Sequence, residues 1–271
     1  MKIKSGLIFL FILFVIFSLS SRTICSAEIV NFSPGQSWEF SRMEGNRFAG
    51  YYEYTVTGSE KWKDEDVWVI QGKGFWYRDG KLYERRADLL KLATDCTLRY
   101  RELSAISYDS ALPSRSIETI AWNGEGYEVN DSMTMGLPLP MHKEILKYNQ
   151  PLLIFDEDVP WTIELLIKSG NLKKNKSCNV MKTNYLIGNT DNHYTFSMQK
   201  ATRPIKIKEI SASDDPFLSP EEDINVLFFI NQENKVTGVQ LLNYTNEVFI
   251  SKNLTPPAIQ KAELNAHNAI K

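Results

Sequence analysis

Cysteine and histidine are the residues this chain uses least, three of each in 271. So few cysteines exclude a disulfide-dense scaffold. If Cys25 leaves with a leader peptide, Cys96 and Cys178 remain. They either close one bridge across a long loop, worth about 2–4 kcal/mol, or stay as two separate buried thiols, and their spacing does not choose between these. His142, His193 and His267 lie far apart, and no pair has the spacing of metal ligands. A Gly-x-Ser-x-Gly nucleophile elbow is absent, as is the EF-hand loop with its central glycine. No long basic stripe occurs either, which removes the usual footprint of a nucleic-acid-binding protein. Nothing in these patterns requires a cofactor or a metal.

The N-terminus reads as an export signal. Lys2 and Lys4 form its positive end, Leu7 to Leu19 is apolar apart from Ser18, and Cys25-Ser26-Ala27 offers a small residue at the cleavage position. The apolar run is shorter than the roughly 20 residues that a spanning helix needs. A retained membrane anchor is the alternative. Acylation of Cys25 fits poorly, because Arg22-Thr23-Ile24 lacks the apolar and small residues that the lipidation signal wants. Removal of residues 1–27 leaves 244 residues, with 28 basic side chains against 33 acidic ones, a net charge of −5. That length buries a proper core in one large domain or two small ones. The expected location is periplasmic or secreted. Asn-X-Ser/Thr triplets at Asn31, Asn130, Asn175, Asn243 and Asn253 matter only in a eukaryotic secretory route.

Strand patterning fills most of the rest. Tyr52, Tyr54 and Val56 alternate with Glu53, Thr55 and Thr57, the two-residue period of a strand with one dry face. Val67 to Ile70 and Phe75 to Tyr77 follow, and then Asp79-Gly80, a strong hairpin signal that Asn123-Gly124 repeats. Gly72 and Gly74 inside a strand predict a bulge or a sharp bend. Lys81 to Leu103 is read as strand in preference to helix. Residues 131–159 change character: Pro140 predicts a short helix over Met141 to Tyr148. A second helix has the better case, with Pro160 at its start, Trp161, Leu165 and Leu166 along it, and Gly170 just past its end. Strands return at Val180 to Ile187, Tyr194 to Met198, Val226 to Ile230, Val236 to Tyr244 and Val248 to Ile250, before Pro256-Pro257. The expected fold is mainly β: a strongly curved antiparallel sheet or half-barrel with one or two helices on its concave side. Residues 28–254 form a single domain with a helical insertion near 140–170, and 255–271 form a flexible tail. A split near 131–159 is the competing division.

Candidate chemistry is sparse. Asp64-Glu65-Asp66, Asp156-Glu157-Asp158, and Asp214-Asp215 with Glu221 to Asp223 all fall in turns, where carboxylates face water. Aromatic residues are denser. Tyr52, Tyr54, Trp68, Trp76 and Tyr100 either build the core or line an apolar cavity. Arg99 and Arg101 stand near them, as a rim for an anionic head group or as a solvated strand face.

An export signal, then aromatic-rich antiparallel strands, one helical insertion over Pro160 to Gly170 and a closing hairpin near Tyr244: this order of elements, over residues 37–250, resembles the open β-barrel of bacterial lipoprotein-carrier proteins of the LolA/LolB type. The resemblance implies a ligand-holding hollow between curved sheet and helix, and no catalysis. The expected function is an exported, non-enzymatic binding or carrier protein for a hydrophobic ligand or a cell-envelope partner. The alternatives are a carboxylate-dependent hydrolase of envelope or extracellular polymers, and a structural subunit acting through a sheet edge. The partners expected are a lipid-like or apolar ligand or an envelope protein, with no nucleic acid and no membrane span after cleavage. Intact-mass measurement on protein from its own compartment is expected to find a chain beginning at Glu28. A mass that retains Met1, or carries a lipid on Cys25, removes that boundary.

Overall fold

A computed structural model describes residues 30–170, apart from 46, 110–111, 136, 139–140 and 157–158, and beyond them 177–182, 193–197, 199–200, 215–220, 225–241 and 247–251. A meander of seven antiparallel strands leads: β1 (Ser37–Glu44), β2 (Arg47–Trp62), β3 (Glu65–Arg78), β4 (Lys81–Ala93), β5 (Leu98–Ser107), β6 (Ser114–Trp122) and β7 (Gly126–Met135). Both β8 (Leu137–Pro138) and β9 (His142–Lys147) then pair with β7. After β10 (Leu153–Phe155) comes the helix α1 (Thr162–Lys168), then β11 (Ser177–Lys182), β12 (His193–Ser197), β13 (Gln199–Lys200), β14 (Asp215–Pro220), β15 (Asn225–Ile230), β16 (Val236–Leu241) and β17 (Glu247–Ser251). The last five strands continue the main sheet through β17 beside β1, making 14 strands among the described residues in an open sheet. β10, β11 and β12 form a second, three-stranded sheet.

The main sheet is strongly curved. Phe228, Val239 and Phe249 from one end share a single core with Tyr127, Val129 and Leu146 from the other. Only a sheet that bends around a common centre can bring those residues together. The face that carries this core is the concave one.

Tight turns set the register of the long strands. Lys63 and Asp64 both have positive φ (48° and 70°), as do Asp79 and Gly80 (50° and 75°). These are the paired left-handed residues that a two-residue hairpin needs. Asn123-Gly124 works differently: only Gly124 has positive φ, and the Asn123 side-chain oxygen accepts the Glu125 N–H at 3.0 Å, giving a longer loop.

Gly72 and Gly74 do not form the expected bulge. The register of β3 shifts against its neighbours at Val56/Gly58 and Trp76/Tyr77 instead. The glycines make room for rings from the adjacent strand. A Cβ on Gly72 would lie 2.2 Å from the Tyr54 ring, and one on Gly74 would lie 2.7 Å from the Tyr52 ring. Tyrosine across from glycine thus covers bare backbone while keeping a flat, tight contact.

The helix expected over Met141 to Tyr148 is strand β9. Its residues alternate, with Leu146 buried opposite Tyr127 and Lys143, Ile145 and Lys147 exposed. The open edge of β7 supplies hydrogen-bond partners that outweigh the capping signal of Pro140. The second expected helix is α1, ending before Gly170 at φ 68°. At seven residues it is too short to hold itself together in water. Packing holds it: Trp161 stacks on Trp38 with ring centroids 4.5 Å apart, and Ile163, Leu165 and Leu166 are buried. Each such side chain contributes about 2 kcal/mol on burial. Glu164, buried on the same helix, accepts the Trp38 indole N–H at 3.1 Å and the Val236 backbone N–H at 2.8 Å. Helix and sheet are pinned through both oxygens.

Cys96 is a free thiol, so the bridge to Cys178 is not made. It sits in the left-handed turn between β4 and β5 (φ 66°), and burial, then Asp95, pushes its pKa up to about 12.

Gly72→Ala is expected to cost about 1–3 kcal/mol in urea denaturation, because the new methyl displaces Tyr54 from α1. Adding Tyr54→Ala to it should cost less than the sum of the two single changes. Strict additivity would remove the steric account.

Candidate functional site

The concave face changes chemistry along the strands. Where α1 covers it, it is apolar. Farther along β4, β5, β6 and β7 it carries charge. Arg101 is 1% exposed. Its guanidinium grips Asp88 with two bonds, Nε to Oδ1 at 3.0 Å and Nη2 to Oδ2 at 2.7 Å, and reaches Asp156 Oδ2 with Nη1 at 3.1 Å. The Tyr54 hydroxyl adds a 3.2 Å bond to Asp88. Asp156 lies just ahead of α1, and its backbone meets the Thr162 hydroxyl. The network therefore ties the entry of the helix to the floor of the sheet.

Beside it lies a second set of carboxyls. Glu118, 8% exposed, faces Asp131 directly across β6 and β7. Opposed residues have Cβ atoms about 5 Å apart, and like charges there repel. Among the described residues, Glu118 Oε1 is buried without a hydrogen-bond partner. Desolvation, partly offset by Arg101 and reinforced by Asp131, pushes the Glu118 pKa up to about 8. Burial also raises that of Asp131, against the pull of His142, its partner across β7 and β9. His142 Nε2 lies 3.8 Å from Glu144 Oε2. Beyond Glu118 and Asp131 the same face continues through Ser116 and Met133 to Met135, which is paired with Leu137. Met135 is 51% exposed and Leu137 76%. An acidic pair thus stands at the inner end of an apolar approach.

The aromatic and arginine residues singled out from sequence do not converge. Tyr52 and Tyr54 are buried core residues, Tyr54 in ring contact with Trp161. Trp68 meets Phe32 edge-on at the margin of that core. Trp76 lies far along β3 beneath the Arg42 guanidinium, 4.1 Å from its ring centre. Tyr100 is on the convex face beside Trp62 and Lys91, with its hydroxyl on Glu102 at 2.8 Å. Arg99 is the extra residue where β5 slips against β4, and its fork holds Glu65 at 2.5 and 2.7 Å. Arg101 belongs to the buried network. Both arginines are thus engaged by carboxylates of the chain itself.

Of the acidic turns expected to face water, Asp64 and Asp66 do, while Asp156 is buried. Asp214 and the run Glu221 to Asp223 lie outside the described residues. Asp88, Glu118 and Asp131 belong to no motif in the sequence, although the spacing of Asp88 from Leu90 and of Glu118 from Ile120 puts both on a core face. Among the described residues, no group of three or more His, Cys, Asp or Glu side chains is arranged to hold a metal ion.

No protein-family model matches the chain, and no curated protein matches it. A solved structure similar to it is the crystal structure of a β-barrel-like protein of the domain of unknown function DUF1849 from Brucella abortus. The two share 7% identity, with 80% of this chain and 93% of that chain covered and a TM-score of 0.37. No residue role is carried over from it.

Glu118 sets a pH dependence. Between its ordinary value of 4.5 and about 8 the folded chain keeps a proton that the unfolded chain has lost. Stability therefore falls as pH rises through that window, by at most about 1.4 kcal/mol per pH unit from this group, and levels off above it. Glu118→Gln, which mimics the protonated acid, should flatten that slope and gain stability over the wild type at alkaline pH. Melting curves across the window check this, and equal slopes for the two proteins would refute it.

Proposed function

We propose that this is an exported, non-enzymatic binding or carrier protein whose ligand enters the concave face at the end that α1 leaves uncovered. One observation carries this reading: the face runs from buried Glu118 and half-buried Asp131 out to exposed Met135 and Leu137 without a break. Exposed apolar side chains leading to buried polar groups are the ordinary make-up of a binding site. The N-terminal apolar segment supports export, and the element order that resembles LolA/LolB-type carriers points the same way.

The carboxylate pair also invites a hydrolytic reading, since two opposed carboxyls are what glycoside hydrolysis requires. The electrostatics weigh against it. One member of such a pair must be ionised to act as nucleophile or base, yet burial raises the pKa of Glu118 and of Asp131 alike. The largest influence on each, burial, works against the ionised form that the chemistry uses.

Native mass spectrometry of protein purified from its own compartment is expected to show a bound small molecule. The double variant Met135→Asp, Leu137→Asp should lose it while melting within a few degrees of the wild type. A bare protein mass under gentle conditions would overturn the proposal.

A further inference from the structure

The charge balance around Glu118 has no local solution in the described residues. Arg101, on β5, is already shared between Asp88 of β4 and Asp156 ahead of α1. Arg86, on the same face of β4, is engaged by Glu84. Asp131 of β7 adds a second carboxyl opposite Glu118, and Glu144 of β9 a third nearby, with His142 between them. A proton on Glu118 cancels one charge, but it leaves the buried Oε1 without a donor. A buried acceptor in that state costs about 1–3 kcal/mol. A positively charged donor cancels the charge and fills the acceptor at once.

We propose that Glu118 and Asp131 receive the protonated amine of an amphipathic ligand, whose apolar tail lies along Met133, Met135 and Leu137. This rests on the binding reading above and narrows it to a chemical class. An ammonium suits the pair because its donors can reach both carboxyls. Flexible methionines suit a tail of loosely defined shape. Because Glu118 holds a proton near neutral pH, binding an ammonium there displaces it. Affinity should therefore rise with pH as Glu118 ionises.

The test is calorimetry on the full mature chain with n-octylamine, n-octanol and octanoate, run at neutral pH in buffers of different ionisation heat. Octylamine is expected to bind one to one, about tenfold or more tighter than either analogue, with a buffer-dependent heat that reports proton release. Glu118→Gln and Asp131→Asn should each weaken it about tenfold and leave octanol unaffected. Octanol or octanoate binding as tightly as octylamine would overturn the amine assignment and leave the carrier proposal standing. If none of the three binds, the amine assignment falls, and the search for a co-purifying ligand decides the carrier proposal separately. The comparison among ligands on the wild-type chain does not depend on either variant folding.

Discussion

Arg101 is a charged side chain almost wholly removed from water. An unpaired guanidinium in that position would cost several kcal/mol. It is tolerated because Asp88 takes two of its donors and Asp156 a third. Those partners come from different parts of the chain, one from the middle of the sheet and one from the residue that opens the helical segment. Satisfying the ion therefore fixes where the helix begins. Glu164 does the corresponding work from the helix itself, one oxygen on Trp38 and the other on the backbone of β16. A helix of two turns, unstable alone, is held in one place by two buried polar anchors and a stacked tryptophan pair.

That placement decides what the concave face can do. The helix fills the part of the hollow lined by Trp38, Tyr54 and their neighbours, so the aromatic residues there serve the core. The glycines of β3 belong to the same arrangement. They let Tyr52 and Tyr54 lie flat on the backbone, where Tyr54 reaches Asp88 and touches Trp161. Farther along β6 and β7 the helix makes no cover, and the face turns from buried acid to exposed methionine and leucine. The polar network is thus the border between a closed, structural half and an open half.

Much of the architecture was legible. Period-two alternation and the turn signals Asp79-Gly80 and Asn123-Gly124 located the strands of the first half, because these signals depend only on neighbouring residues. Pro160, Trp161 and Gly170 bracketed α1 for the same reason. The segment over His142–Lys147 misled, since whether it becomes helix or strand depends on the unpaired edge of β7 beside it. Tyr100 misled in another way. It stands near other aromatics in sequence, but a slip of one residue between β4 and β5 at Arg99 places it on the convex side.

The strands of the first half, their hairpins and the position of α1 follow from local sequence, because turn geometry and side-chain period act over a few residues. Which carboxyl meets which cation does not. Asp88, Arg101 and Asp156 are separated by 13 and 55 residues, and Glu118 meets Asp131 only through strand pairing. Burial, and with it the raised pKa of Glu118, exists only once the sheet has curved and excluded water. Electrostatic energy depends on distance and solvent access in space, so the site could be decided only by the tertiary structure.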